Sequence, residues 1–118
     1  MRSFGGAFGA AKFFLLSFFY LCVMLVYNIT FKVDLDSSVS FLDFLEQYTA
    51  EHALDFELFQ LANVDDSDGF TYCLHQKFSD LGTYNRHIVV IDRKFKEQII
   101  EKYGDKVLFF GSILNKVK

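Results

Sequence analysis

The sequence predicts an α+β fold in which one N-terminal transmembrane helix precedes a small mixed α/β domain, with the domain's elements in the order β-α-β-β-β-α-β. Residues 13–31 form a run of nineteen residues without a charged side chain. The chain beyond it alternates β-type runs with helical periods and is long enough for one small domain only. We therefore expect a flexible cytoplasmic tail (residues 1–12), a transmembrane helix (13–31) and a soluble α+β domain on the non-cytoplasmic side (32–118).

The uncharged run has the length of a membrane span. A helix rises about 1.5 Å per residue, so this run would cover about 28 Å, close to the ~30 Å hydrocarbon core of a bilayer. Twelve of its nineteen residues are Leu, Ile, Val or Phe, which favour insertion. Lys12 and Lys32 bound the run, and the polar Asn28 lies near one end.

The charges on the two sides of this run predict its orientation. Arg2 and Lys12 are the only charges before it, whereas 9 of the 12 basic and all 15 acidic residues follow Lys32. The positive-inside rule places the N-terminus inside and the domain outside. We expect a single-pass protein of a bacterial inner membrane, with the mitochondrial inner membrane as the alternative. A cleaved signal peptide is the competing interpretation, but residues 26–30 lack a small-x-small cleavage site.

Side-chain periodicity predicts the first elements of the domain. Alternation over residues 29–35 predicts a strand that begins where the chain leaves the membrane. Apolar residues every three to four positions predict a helix over residues 38–52. Alternation over 54–58, turn formers over 63–69 and a β-rich run over 70–75 together predict a hairpin with an acidic tip.

The C-terminal part predicts a strand, a helix and a strand. Residues 87–92 contain four consecutive apolar β-branched residues, which are typical of a central strand. Residues 93–103 have a helical apolar face, and Gly104 can cap that helix. Residues 106–111 predict the last strand. This succession favours a right-handed parallel crossover.

No catalytic, cofactor-binding or metal-binding signature stands out. His52, His75 and His87 are separated by 23 and 12 residues, which matches no metal-ligand pattern. The acidic residues in the 65–68 loop do not have the spacing of a calcium loop. We therefore predict no metal and no cofactor. The acidic balance of the domain also argues against nucleic-acid binding, which needs a basic face.

One pair of residues allows an alternative function. Cys73 and His75 are two residues apart on a predicted strand, so they point to the same side. A small membrane-tethered, thiol-dependent enzyme using Cys73 and His75 is therefore an alternative hypothesis. A lone cysteine is more often a small buried apolar residue than a reactive thiol. We predict that the chain is not an enzyme.

The domain has more aromatic residues than one small core readily buries, and large exposed apolar patches usually mark interaction sites. The predicted partner surface consists of Phe56, Phe59, Phe70, Tyr72, Tyr84, Phe109 and Phe110. A membrane-confined domain also gains effective concentration for neighbours in the same bilayer. We predict a non-enzymatic, single-pass accessory or assembly subunit of a multiprotein membrane complex.

Its predicted partners are the lipid bilayer and other subunits of that complex. The N-terminal small residues Gly5, Gly6, Gly9 and Ala10 have the spacing of a helix-packing motif and predict a homo-oligomer. The alternative is a mitochondrial inner-membrane accessory subunit of a respiratory-type complex, which differs from the first prediction in its compartment.

Two segments that follow the uncharged run resemble a known family. They are ITFKVDLDSSVSFLDFLEQ at residues 29–47 and YNRHIVVID at residues 84–92. In these segments, and in the order of tail, span and domain, the chain is similar to the TrbI family of small inner-membrane proteins. This resemblance implies a role in F-type conjugative pilus assembly, within a secretion apparatus and without enzymatic activity.

Overall fold

The structure is a computed structural model that describes residues 24–62, 65, 67–115 and 117. The strands are β1 (Leu25–Asp34), β2 (Phe56–Gln60), β3 (Gly69–Phe78) and β4 (Val107–Asn115). The helices are α1 (Ser38–Glu51), α2 (Leu81–Arg86) and α3 (Arg93–Tyr103), with a π-helical turn at His87–Asp92 that joins α2 to α3. Single 3₁₀ turns at Leu35–Ser37 and Gly104–Lys106 complete the fold.

The four strands form one antiparallel sheet in the order β2-β3-β1-β4. β1 is central, and its Ile29 is paired with Leu74 of β3 on one side and Gly111 of β4 on the other. Both long helices pack on the same face of this sheet, because their apolar side chains join the β1 side chains in one core. The fold is thus a helical layer over one sheet face.

β1 is a strand because its side chains alternate in the way that a covered sheet requires. Tyr27, Ile29, Phe31 and Val33 are all buried, whereas the residues between them are partly exposed. A central strand with neighbours on both sides is commonly rich in apolar residues. The apolar character of residues 25–31 therefore comes from a sheet core.

The prediction of a transmembrane helix over residues 13–31 is wrong. Residues 25–31 belong to β1, and residues 13–23 lie outside the described part of the chain, as does the predicted tail at 1–12. Across the described residues, no helix combines the length and apolar character that crossing a membrane requires. The predicted fold class, a transmembrane helix followed by a β-α-β-β-β-α-β domain, is therefore corrected to a two-layer domain in which β1 begins at Leu25.

The two long helices bury one apolar stripe each. In α1, Phe41, Leu45 and Tyr48 are buried at helical spacing, so the helix predicted over 38–52 is present over Ser38–Glu51. In α3, Phe95 and Ile99 are buried. The layer is held by aromatic contacts, such as the edge-on packing of Phe31 against Phe41 at a centroid distance of 4.9 Å, a geometry that aromatic pairs favour.

The strand predicted over residues 87–92 is wrong. These residues form the π-helical turn, in which Ile88 and Ile91 pack against the core while Val89 and Val90 are exposed. The predicted parallel crossover is wrong as well, since every strand pair that the structure describes is antiparallel.

The strands of the hairpin and the last strand are shifted or longer than their predicted ranges. The strand predicted over 54–58 lies at Phe56–Gln60, and the run predicted over 70–75 extends from Gly69 to Phe78. These two strands pair as a hairpin. The last strand begins at Val107 and continues to Asn115, because β4 pairs with almost the whole length of β1.

Candidate functional site

The sheet has one face without a covering layer in the described part of the chain. The alternate residues of each strand that do not join the core form this face, which we call the open face. In β1 these are Val26, Asn28, Thr30 and Lys32, and the register places the side chains of β3 and β4 beside them. The open face comprises Val26, Asn28, Thr30, Lys32, Glu57, Phe59, Leu61, Thr71, Cys73, His75, Lys77, Leu108, Phe110, Ser112 and Leu114.

Large apolar side chains lie along both edges of the open face. Phe59 and Leu61 lie at the β2 edge, while Leu108, Phe110 and Leu114 lie on β4. All five are exposed, and Phe110 is 63% exposed. Exposed clusters of large apolar side chains usually mark an interaction site.

The centre of the open face is polar. The amide nitrogen of Asn28 donates hydrogen bonds to the hydroxyls of Thr30 at 3.1 Å and Ser112 at 3.3 Å. The Asn28 Oδ1 atom is buried and has no hydrogen-bond partner among the described residues. The open face therefore has a polar centre between two apolar margins.

The charged residues of the open face are paired. Lys32 Nζ lies 3.3 Å from a carboxylate oxygen of Asp68, and Lys77 Nζ lies 3.2 Å from one of Glu57. These pairs are partly exposed and contribute little to stability. They do reduce the charge that a partner packing on this face would meet.

The structure separates the seven predicted partner-surface residues. Phe59 and Phe110 lie on the open face, at opposite margins. Phe56 is exposed on the helix-covered side, at the β2 edge. The other four are buried or packed against the core, three from the sheet and Tyr84 from α2: Phe70, Tyr72, Phe109 and Tyr84.

Cys73 and His75 lie on the open face, on neighbouring positions of β3. The Cys73 sulfur is 3.8 Å from the Thr30 hydroxyl, and the His75 ring packs edge-on against Phe59 at a centroid distance of 5.1 Å. No hydrogen bond joins Cys73 to His75 within the described chain. The two residues share a face without forming a thiol–imidazole pair.

A second polar group lies under the helices, where sequence reasoning predicted none. The Tyr48 hydroxyl of α1 donates to Gln76 Oε1 at 3.2 Å and lies 3.1 Å from His87 Nε2. Burial lowers the pKa of His87. The nearby Asp92 raises this pKa by a smaller amount, and His52 lowers it. Burial likewise raises the pKa of Tyr48 far above its ordinary value. Both side chains are therefore neutral near pH 7.

Next to it, Lys96 donates hydrogen bonds to Tyr27 and Asp92. Lys96 Nζ lies 2.7 Å from the Tyr27 hydroxyl and 2.9 Å from Asp92 Oδ2, and the Tyr27 hydroxyl donates to the same carboxylate at 3.2 Å. Burial alone would lower the pKa of Lys96, but its bonds to Tyr27 and Asp92 and the charge of Asp92 raise it. Lys96 is therefore a cation.

These six residues form the buried polar cluster: Tyr27, Tyr48, Gln76, His87, Asp92 and Lys96. Gln76 Nε2 and Asp92 Oδ1 are buried without a hydrogen-bond partner among the described residues, and each such atom costs free energy. Sequence reasoning missed the cluster because its members come from five elements. The one local signal is the i,i+4 spacing of Asp92 and Lys96, which is visible only if residues 87–92 are recognised as helical.

The described residues contain no group of three or more His, Cys, Asp and Glu side chains that could hold a metal ion. The residues considered for metal binding are dispersed. His52 follows α1, His75 is on the open face and His87 is in the buried polar cluster. The absence of a cofactor stays a prediction.

A family model for a domain of unknown function, DUF4286, matches residues 24–117. The chain belongs to the DUF4286 family. The matched range includes every described strand and helix, so the DUF4286 domain is the two-layer domain described above. No curated protein matches this DUF4286 chain.

Solved structures show which fold the DUF4286 domain has. It is similar to a dimeric ferredoxin-like protein from an uncultured marine organism, with 15% identity and a TM-score of 0.62 over 81% of this chain and 97% of that one. It is also similar to the de novo designed protein Foldit4, with 10% identity and a TM-score of 0.58 over 79% and 98% of the two chains. A hydroxynitrile lyase from Passiflora edulis matches at 14% identity and a TM-score of 0.48 over 80% and 96%. The fold is ferredoxin-like.

The ferredoxin-like fold of this DUF4286 protein corrects the predicted function and location. The region matched to the family contains β1 where the membrane span was predicted. The predicted single-pass, membrane-anchored subunit is therefore wrong, as are its location in a bacterial or mitochondrial inner membrane and the alternative of a respiratory-type subunit. The predicted partners in the bilayer and in a membrane complex lose their basis with it. The similarity to the TrbI family stays a prediction.

Proposed function

We propose that this chain is a homodimeric domain in which two copies pack the open faces of their sheets against each other. The exposed apolar margin of β4, with Phe110 at its centre, carries this proposal. Packing would bury Phe110 and its neighbours Leu108 and Leu114, and burial of apolar surface is the main favourable term in protein association. Two sheets packed face to face lie about 10 Å apart, with interdigitated side chains.

Two further observations support a second copy as the partner. The dimeric ferredoxin-like protein has the same fold, and the match covers 97% of its chain and 81% of this one. The open face also combines apolar margins with a hydrogen-bonding centre at Asn28 and Ser112, which resembles the mixed character of specific interfaces. A two-fold axis would bring the open face of each copy against the open face of the other.

A homo-oligomer through the N-terminal small residues is a different proposal, because Gly5 to Ala10 lie outside the described residues. The open face provides a partner surface within the domain itself. The prediction that the chain is not an enzyme stays a prediction and is independent of the dimer.

Sedimentation velocity of the full chain tests the proposal. We expect a dimer for the unmodified chain and a monomer for Phe110→Glu, because a carboxylate at the centre of the apolar margin would have to be desolvated. Ile100→Glu is the matched control. Ile100 is a similarly exposed apolar residue, but it lies on α3, which covers the opposite face of the sheet. This variant should remain a dimer.

Circular dichroism shows whether each variant retains its fold. A monomeric unmodified chain contradicts the proposal. So does a folded Phe110→Glu variant that remains dimeric, because the copies would then associate elsewhere, for example through the edge of β4.

A further inference from the structure

We infer that the groove between α1 and α3 binds a small zwitterion with an apolar side chain, which is the chemistry of a free apolar amino acid. The groove has a volume of about 340 Å³, within the range of small-molecule sites. Its walls come from α1 with the residue that follows it, and from the π-helical turn with α3. The residues used below are Phe44, Tyr48, Glu51, Ile91, Lys94 and Phe95.

The floor of the groove is aromatic and apolar. The Phe95 ring stacks on Tyr48 at a centroid distance of 3.7 Å and lies parallel to Phe44 at 5.7 Å. Phe44 and Ile91 are only partly buried, so each leaves apolar surface toward the groove. An apolar side chain would cover this surface and remove it from water.

The rim of the groove has one charge of each sign. Glu51 is on α1 and Lys94 is on α3, and both line the groove. One carboxylate oxygen of Glu51 lies 4.0 Å from His52 Nε2. Lys94 forms no ion pair or side-chain hydrogen bond with any described residue, and no ion pair joins it to Glu51. A ligand that carries an ammonium and a carboxylate group complements both sides.

Contacts at both ends of the π-helical turn fix the position of the groove wall that it forms. Val90 and Ile91 line the groove, while His87 at the start of the turn contacts Tyr48 and Asp92 at its end binds Lys96. π-Helical turns within α-helices are frequent at functional sites. The buried polar cluster thus positions a groove wall before any ligand arrives, which reduces the entropy that binding must overcome.

This site does not depend on the proposed homodimer. The groove lies on the outer side of the helical layer, and the open face lies on the other side of the sheet. Failure of one proposal therefore leaves the other unaffected.

Titration of the full chain with L-phenylalanine, followed by two-dimensional NMR, tests the inference. We expect amide shifts at Tyr48, Ile91 and Lys94. Two analogues each lack one charge: 3-phenylpropionate has no ammonium group and phenethylamine has no carboxylate. Both should bind about threefold to tenfold more weakly than L-phenylalanine, because each loses one partly exposed charged contact.

Two substitutions assign the charges. Lys94→Gln should weaken the binding of L-phenylalanine and leave the affinity for phenethylamine unchanged. Glu51→Gln should weaken the binding of L-phenylalanine and leave the affinity for 3-phenylpropionate unchanged. Lys106→Gln and Glu101→Gln are the matched controls, since both residues are exposed and neither lines the groove. Both controls should bind L-phenylalanine as the unmodified chain does.

Several outcomes would overturn the inference. They are the absence of shifts up to the solubility limit of L-phenylalanine, equal affinity for the zwitterion and both analogues, and an affinity for L-phenylalanine that neither groove substitution changes. Shifts confined to the open face would also overturn it.

Discussion

The Tyr48 hydroxyl lies 3.1 Å from Nε2 of His87, and the two residues are only 5% and 3% exposed. The hydroxyl has a single proton, which it donates to Gln76 Oε1. With the Gln76 amide in this orientation, His87 must donate from Nε2, so its ring carries the proton on that nitrogen. This contact connects α1 to the π-helical turn through a neutral histidine.

The stability of the protein should decrease as pH falls, because of His87. Burial lowers the pKa of His87 in the folded state, so the unfolded chain binds the proton more readily and stability is lost below the ordinary histidine pKa of about 6.5. The free energy of unfolding should therefore fall as the pH is lowered from about 7.5 to about 5.5. Urea unfolding of the unmodified chain and of His87→Gln measures it. Equal pH dependence of the two would contradict the prediction.

Removal of the Tyr48 hydroxyl should destabilise the fold. Tyr48→Phe leaves Gln76 and His87 without this partner in a buried site, which costs about 1–3 kcal/mol. Tyr103→Phe is the control, because the Tyr103 hydroxyl bonds to the exposed residue Ser40 and water can replace it. Its free energy of unfolding should fall by about 0.5 kcal/mol. Equal losses in the two variants would show that Tyr48 does not act through buried hydrogen bonds.

Lys96 should contribute more to stability than a lysine in a surface pair. The Asp92 side chain is 4% exposed and that of Lys96 is 30% exposed. Lys96→Met would therefore leave a buried carboxylate without its cation and cost about 1–3 kcal/mol, below the value for a fully buried pair. Lys77→Met breaks the more exposed pair with Glu57 and should cost less than about 1 kcal/mol. Chemical denaturation of both variants measures these changes in the free energy of unfolding. A smaller loss of stability for Lys96→Met than for Lys77→Met would contradict the prediction.

Gly111 should not tolerate a side chain. A Cβ atom at Gly111 would lie 2.5 Å from the hydroxyl oxygen and 2.9 Å from a ring carbon of Tyr27. Hydrogen bonds to Asp92 and Lys96 hold that ring. Gly111→Ala should therefore cost about 1–3 kcal/mol.

Gly82→Ala is the control for this substitution. A Cβ atom at Gly82 would be 3.6 Å from its nearest neighbour, Asp80, and alanine favours a helix by about 0.5–1 kcal/mol over glycine. The melting temperatures of Gly111→Ala and Gly82→Ala should therefore move in opposite directions. A rise for Gly111→Ala would contradict the close approach to Tyr27.

Residues 25–31 show why the sequence favoured a membrane span over a strand. Val26, Asn28 and Thr30 are the residues that alternate with the core positions, and none of the three is charged. A central strand with neighbours on both sides exposes such residues less than an edge strand does. Its alternation of apolar and polar residues is therefore weak in the sequence. The long-range pairing to β3 and β4 decides the matter, and no local pattern contains it.

The helices show the opposite case. Phe41, Leu45 and Tyr48 follow the period of α1, and Phe95 with Ile99 follows that of α3, so local spacing was sufficient. The strand prediction for residues 87–92 failed because a short apolar run does not distinguish a strand from a buried helix. Their place in the helical layer overrides the β-propensity of the side chains.

The candidate surfaces were only partly accessible to sequence reasoning. The number of aromatic residues led to a predicted partner surface, but the register was required to place Phe59 and Phe110 on one face and Tyr72 on the other. The buried polar cluster and the groove depend on residues brought together from distant parts of the chain. Spacing along the sequence does not contain such contacts.

The position of β1 sets the order in which the protein can be completed during synthesis. β1 is the first described strand and β4 the last, yet they are neighbours, with Val33 beside Val107 and Leu25 beside Asn115. Until β4 leaves the ribosome, one side of β1 presents unpaired backbone groups, which readily join other chains. Contacts between distant segments also slow folding. A nascent chain that stalls before Val107 would therefore be prone to aggregation.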